Sequence, residues 1–197
     1  MKSEIPMIIL ASASPRRREL LAEAGYEFEV RPPAAEAECG LRSEETATQF
    51  VARLAYQKAD DVARRVSDED RGKLIVAGDT VAQCRGQILG KPSDERQAKE
   101  MLSMLSGRLH DVYSGLCLWP LDGRGPSVRV DRTILWMDEL KERELAEYLA
   151  SGAWQGKAGA FGYQDRLGWV RIEQGSETNV VGLPMELFTD MLAELYG

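Results

Sequence analysis

The sequence predicts an α/β protein with a mixed sheet and flanking helices. Short apolar runs bounded by turn residues alternate with segments of helical periodicity, more regularly in the first half than in the second. Hydrophobic residues make up 44% of the 197 positions and charged residues 29%, the balance of a packed globular chain. That length suits one large domain or two small lobes. No internal repeat, low-complexity tract or Pro/Gly/Ser-rich linker marks a boundary.

The elements follow in order. Residues 7–11 (Met-Ile-Ile-Leu-Ala) form a short buried strand. Residues 15–24 form a helix with Ser14 as N-cap candidate, Pro15 in the first helical position and Gly25 as the stop. Residues 26–31 are a second strand, and 32–42 a loop. A long amphipathic helix spans about 44–66, with Ser43 as its N-cap and Ala47, Phe50, Val51, Leu54, Ala55, Val62 and Val66 on its apolar face. Leu74–Cys84 is an apolar strand, turned by Arg85-Gly86 into Gln87–Leu89. Residues 94–105 are helical through Ala98, Met101, Leu102 and Leu105. Residues 108–119 and 128–137 are strands joined around Asp122-Gly123. A helix from about 137 or 138 to 150 ends at Gly152. Residues 156–168 read as a Gly-rich loop, 169–173 as a strand, and 184–195 as a closing helix with Pro184 at its start.

Charge and cysteine content narrow the function classes. The net charge of −7 repels a phosphate backbone, so any polyanion site must be a local basic cluster for a small ligand rather than a nucleic acid. Cys39, Cys84 and Cys117 are scattered, no CxxC pair exists, and the single histidine removes the usual zinc sets. Reduced thiols in a reducing compartment are expected. The first apolar run is too short for a membrane span and wrongly flanked for a signal peptide, so a cytoplasmic, membrane-free protein is expected.

Three features carry chemistry. Ser12-Ala13-Ser14-Pro15-Arg16-Arg17-Arg18 follows the first strand directly. Cations in a first helical turn oppose the positive end of the helix dipole and cost stability unless an anion binds. Any one of these arginines alone reads as part of a solvated basic face behind an ordinary cap. For the three together a phosphate reverses the sign, because amides, Ser hydroxyls and guanidinium forks then converge on it. Secondly, Asp79 lies inside the apolar strand 74–84. A buried carboxylate must be paired, protonated or metal-bound, so a structural Asp and a site Asp both stand open; Gly78 beside it permits close approach of a backbone or ligand. Thirdly, Lys58 continues an apolar helical stripe, where it either snorkels or meets a buried anion. Lys91, in Gly90-Lys91-Pro92, is either a solvated turn residue or a positioned phosphate contact. Glu36 and Glu38 lie in the loop after the second strand. Each is a solvated loop residue unless the fold brings it near Asp79, where hard oxygen ligands together with phosphate would suit Mg²⁺ or Mn²⁺. His110 reads as a polar core residue, with no catalytic role.

In this order the segments resemble the Maf family of nucleotide pyrophosphatases. The resemblance rests on residues 10–17, 77–81, 90–92, Ser106-Gly107 with His110, 157–162 and 180–184, and spans essentially the whole chain. It implies a single Maf-like domain over residues 1–197, with two lobes around a cleft as in inosine triphosphate pyrophosphatases, often dimeric. It implies a metal-dependent hydrolase that cuts a nucleoside triphosphate to monophosphate and pyrophosphate, with Asp79 as general base or metal ligand. Ser12, Ser14, Arg16, Arg17, Lys58 and Lys91 would hold the triphosphate. The family also uses a glutamate after the second strand. Here the loop reads Ala35-Glu36-Ala37-Glu38; Glu36 is assigned from its distance to Phe28, with Glu38 the alternative. Arg16, Thr80 and Gln164 resemble the subgroup acting on dTTP and UTP, and a glutamine amide suits a uracil or thymine edge. Tyr163 before Gln164 and the insertion-like pair Asp165-Arg166 after it depart from the family pattern. Remaining alternatives are a 7-methyl-GTP-type pyrophosphatase and a non-catalytic nucleotide sensor linked to septum formation. Removal of non-standard nucleotides and a link to cell-division arrest are roles the family suggests.

Overall fold

The computed structural model describes residues 5–37 and 40–197, apart from the side chain of Glu36. The strands are β1 (Ile8–Leu10), β2 (Phe28–Val30), β3 (Leu74–Cys84), β4 (Gln87–Leu89), β5 (Arg108–Pro120), β6 (Ser127–Met137) and β7 (Val170–Gln174). The helices are α1 (Pro15–Glu23), α2 (Ala47–Ala63), α3 (Glu95–Leu105), α4 (Glu142–Ser151), α5 (Glu177–Val181) and α6 (Met185–Tyr196). The sheet runs β2-β1-β3-β5-β6-β7, with β4 paired to β3. β1 pairs parallel with β2 and β3, and the remaining pairs are antiparallel.

Two lobes arise because β3 and β5 are long enough to serve two cores. In the first lobe, side chains alternate between the faces of the sheet. Ile8, Leu10, Leu74, Val76, Leu116 and Leu118 pack under Leu21 of α1 and Phe188, Met191 and Leu192 of α6. Ile9, Ala11, Ile75, Ala77 and Cys117 pack on the other face against Ala55, Ala59 and Val62 of α2. Burial on both faces explains why β1 and the start of β3 read as unbroken apolar runs. In the second lobe, Ala82, Cys84, Val112, Leu135 and Met137 pack with α3, α4, Trp154 and Phe161. Between Ala77 and Ala82, β3 passes from one core to the other, and Asp79 and Thr80 fall in that gap, opposite Gly115 and Ser114 of β5.

Several boundaries differ from expectation for local reasons. α2 starts at Ala47, not near 44, and its N-cap is Thr46, not Ser43: Thr46 and Gln49 form a reciprocal capping box, and Glu44 has φ 62°, which no right-handed helix accepts. α4 starts at Glu142, because the Asp138 amide still bonds Trp169 and the Leu140 amide bonds Ser106 Oγ. Pro184 sits at the N-cap position of α6 rather than in its first turn. The segment 156–168 contains two 3₁₀ turns, Ala158–Ala160 and Tyr163–Asp165. α5 has no counterpart in the sequence reading. Among the described residues no helix is long and apolar enough to cross a membrane.

Candidate active site

The gap between the lobes is a cavity of about 390 Å³. It is lined by Ser12, Ser14, Arg16 and Arg17 from the β1–α1 turn, Lys58 from α2, Asp79 and Thr80 from β3, Lys91 and Gln164. Every predicted site residue whose side chain is described thus reaches one space, although the contributing segments lie far apart in sequence.

Each side chain is positioned by its element. Ser14 is the N-cap of α1 in extended conformation, with Pro15 following, and its hydroxyl makes no capping bond. The Ser14 amide instead donates to Ser12 Oγ at 3.2 Å. Arg16 crosses the cleft and donates to the Gly156 carbonyl at 2.9 Å, tying α1 to the second lobe. Arg17 is buried and donates to Ser12 Oγ (3.1 Å), Thr80 Oγ1 (3.2 Å) and the Gly182 carbonyl (2.7 Å). Much of its hydrogen-bonding capacity therefore serves the protein's own oxygens, and it acts as a hub under the β1–α1 turn. Arg18 is exposed and lies outside the cavity, so the three-arginine cluster contributes two members.

Asp79 and Lys58 meet each other at the cavity. Lys58, 3% exposed, donates to Asp79 Oδ1 at 2.7 Å. The lysine does not snorkel, and the carboxylate inside the apolar strand is paired. Their approach depends on Gly115, opposite Asp79: a Cβ there would lie 2.2 Å from the Val51 carbonyl oxygen of α2. Gly78 is similarly constrained, with the Gly115 carbonyl 3.1 Å and Arg17 Nε 3.4 Å from the position of a Cβ. Lys91 is exposed beside buried Pro92, and its loop is fastened where the Gly90 carbonyl accepts from the Gly159 amide at 3.0 Å.

The loop after β2 runs along the cleft, with Pro33, Ala34 and Ala35 in its wall. It is held to α2 by the Ala34 amide donating to Asp61 Oδ2 (3.0 Å) and by Arg65 donating to the Pro32 carbonyl (2.9 Å). Glu36 belongs to the 3₁₀ turn Ala35–Ala37. Its side chain and the whole of Glu38 lie outside the described residues, as does Cys39.

The sequence reading missed part of the second-lobe wall. Lys157 and Phe161 line the cavity, and Lys157 pairs with Asp165. A buried network also lies behind Thr80. Its Oγ1 is 2.8 Å from Ser114 Oγ, which donates to the Asn179 carbonyl at 2.9 Å. Asn179 Nδ2 in turn donates to Thr133 Oγ1 at 2.8 Å. The available signal was Ser176 followed by Glu177, an N-cap with an acidic first turn, but five residues are too few for a visible helical period. His110 packs edge-on to Phe161, and burial pushes its pKa down to about 4, so it is a neutral core residue.

The family model described as "Maf-like protein" matches residues 7–195. The chain belongs to this family. It is 54% identical over 186 residues to a protein of Rhodopirellula baltica named dTTP/UTP pyrophosphatase, covering 94% of this chain and 80% of that one. It is 41% identical over 189 residues to a protein of that name from Geotalea uraniireducens, covering 95% and 94%. The solved Staphylococcus aureus Ham1 protein superposes with a TM-score of 0.52 at 14% identity, covering 96% of this chain and 97% of that one, which shows a shared fold. The mixed sheet and two-lobed architecture expected of a Maf-like chain are thereby borne out.

Proposed function

We propose that this Maf-family chain hydrolyses nucleoside triphosphates, dTTP and UTP foremost, between the α and β phosphates, releasing the monophosphate and pyrophosphate. What supports the reading is the meeting of Arg16, Arg17, Lys58 and Lys91 with Asp79 around one cavity of about 390 Å³, in a chain whose net charge as a whole is −7. Cations gathered against the overall charge need a small polyanion. The names of the relatives point to the same substrates.

Arg16, Lys91 and the free hydroxyl of Ser14 bind and neutralise the phosphates, and preorganised cations of this kind stabilise the charge on departing pyrophosphate. Asp79 orients a water toward the α-phosphorus and takes its proton on a carboxylate oxygen. Lys58 holds that carboxylate in place from below. Among the described residues Asp79 is the one carboxylate lining the cavity, and it keeps coordinating capacity for a hard divalent ion beyond its bond to Lys58. Glu36, or alternatively Glu38, which follow Pro33–Ala35 in sequence, would supply the second carboxylate. Mg²⁺ or Mn²⁺ held there would supply charge neutralisation and acidify the water. Arg16, Thr80 and Gln164 select the base. A homodimer acting in the cytoplasm, without nucleic acid or membrane, completes the proposal.

Purified chain incubated with a panel of triphosphates and Mn²⁺ or Mg²⁺, with pyrophosphate detection, tests it. Pyrophosphate from dTTP and UTP ahead of the rest is expected. Nucleotide bound but left intact would favour a non-catalytic sensor instead.

A further inference from the structure

The departure at Asp165-Arg166 acquires a role from one junction in the cleft wall. The position of a Cβ on Gly162 lies 2.8 Å from Lys157 Nζ, 2.9 Å from Asp165 Oδ2 and 2.9 Å from Gln164 Nε2. The three polar atoms thus border the one small space that a side chain at 162 would fill. Asp165 Oδ2 accepts from Lys157 Nζ and, at 3.3 Å, from the Tyr148 hydroxyl of α4. The Asp165 and Lys157 side chains are 21% and 11% exposed, so their charges are only partly screened by water. Arg166 fastens the other end of the turn, pairing with Glu177 of α5 and covering the Tyr163 ring at 5.2 Å.

We propose that Asp165 is a positioning residue that fixes which end of the Gln164 amide is offered to the base. The proposal rests on the triphosphate-site reading above. Two charged neighbours compete for that amide. A carboxylate is acceptor-only and draws the NH₂ end; an ammonium is donor-only and draws the carbonyl end. With Asp165 neutralising Lys157, Nε2 turns inward to the junction and Oε1 is left for the ligand. A carbonyl oxygen accepts from the N3–H of uracil or thymine, whereas N3 of cytosine is itself an acceptor and finds no donor. Removing the negative charge leaves Lys157 unopposed beside Gln164. The ammonium then draws Oε1 inward, and the amide presents its NH₂ to the base.

The test separates orientation from mere support, because Asp165→Asn and Lys157→Met break the same ion pair while leaving opposite charges behind. Binding is measured by calorimetry with the α,β-methylene analogues of UTP and CTP, which cannot be cut at the α–β position, on variants whose melting curves show a folded protein. Wild type and Lys157→Met should prefer the uridine analogue. Asp165→Asn should lose about tenfold or more of that preference, the effect of mismatching one hydrogen bond in a desolvated site. Equal losses in both variants, an unchanged preference in Asp165→Asn, or no preference in wild type would overturn the proposal. Pyrophosphate release from UTP is scored separately: normal binding preferences without turnover would sink the catalytic reading and leave the orientation of Gln164 intact.

Discussion

Gly115→Ala is the most exacting perturbation of the scaffold, because one methyl group acts on both lobes and on the site. A Cβ at 115 would lie 2.2 Å from the Val51 carbonyl oxygen, 2.5 Å from its carbon and 2.9 Å from the Ala52 nitrogen. All three are backbone atoms within α2, so no rotamer change relieves the clash. Restoring an ordinary contact of 3.4 Å moves the helix away from β5 by roughly 1.2 Å. Lys58 lies seven residues beyond Val51 on the same face of α2, so it moves with the helix and loses its 2.7 Å bond to Asp79. Overpacking of this kind costs about 3 kcal/mol. In a chain of this length that lowers Tm by about 6–12 °C. A misplacement of about 1 Å at a reacting group lowers turnover by about a hundredfold. Thermal unfolding and initial rates of pyrophosphate release, taken well below the variant's Tm, read both effects. A variant with wild-type Tm and wild-type kcat/KM would refute the claim that close contact of α2 with β5 sets the Lys58–Asp79 geometry.

Further outcomes follow from the same structure. Asp79→Asn should keep the fold and bind nucleotide while losing about a hundredfold or more in kcat, the scale of a general base; wild-type rates would remove Asp79 from the mechanism. Asp70 is buried, and the hydrogen bonds of Arg31 and then Lys73 hold its carboxyl well below the usual range. Asp70→Ala should cost about 2–3 kcal/mol in urea unfolding, the loss of charge-assisted hydrogen bonds at a buried carboxylate, with Glu29 left as the shared partner of Arg31 and Lys73 and base preference unchanged. His110 folds with a pKa near 4 against 6.5 when unfolded. Between those values the unfolded chain binds a proton the folded one refuses, so stability falls as pH drops from 6.5 toward 4 and levels off below. That His110-linked loss totals about 3 kcal/mol. It should be missing in His110→Phe, and equal pH slopes in the two proteins would refute it.

What the sequence disclosed, and what it hid, divides along physical lines. Strands buried on both faces, such as Leu74–Cys84, announce themselves by composition, and an aspartate inside one is conspicuous because its burial needs a partner. The partner was not legible: Lys58 and Asp79 are 21 residues apart and meet only because Gly115 admits α2 to the sheet. Arg16 and Arg17 were marked by their conflict with the helix dipole. Only the fold could show that Arg17 turns largely to Ser12, Thr80 and the Gly182 carbonyl, and that Arg18 points elsewhere. Capping was read one turn too early at Ser43, since a Thr46–Gln49 box and a serine followed by two glutamates look alike without backbone angles. The Asn179 network and the Lys157–Asp165 pair escaped because they sit on turns and a five-residue helix, where no period exists to read.

The claim that Asp79 directs water to the α-phosphorus is open to one direct measurement. UTP is hydrolysed in ¹⁸O-labelled water and both products are weighed by mass spectrometry. The proposed site puts the heavy oxygen in UMP and leaves pyrophosphate unlabelled. Label in pyrophosphate, or release of inorganic phosphate with UDP, would place the attack at another phosphorus and contradict the account.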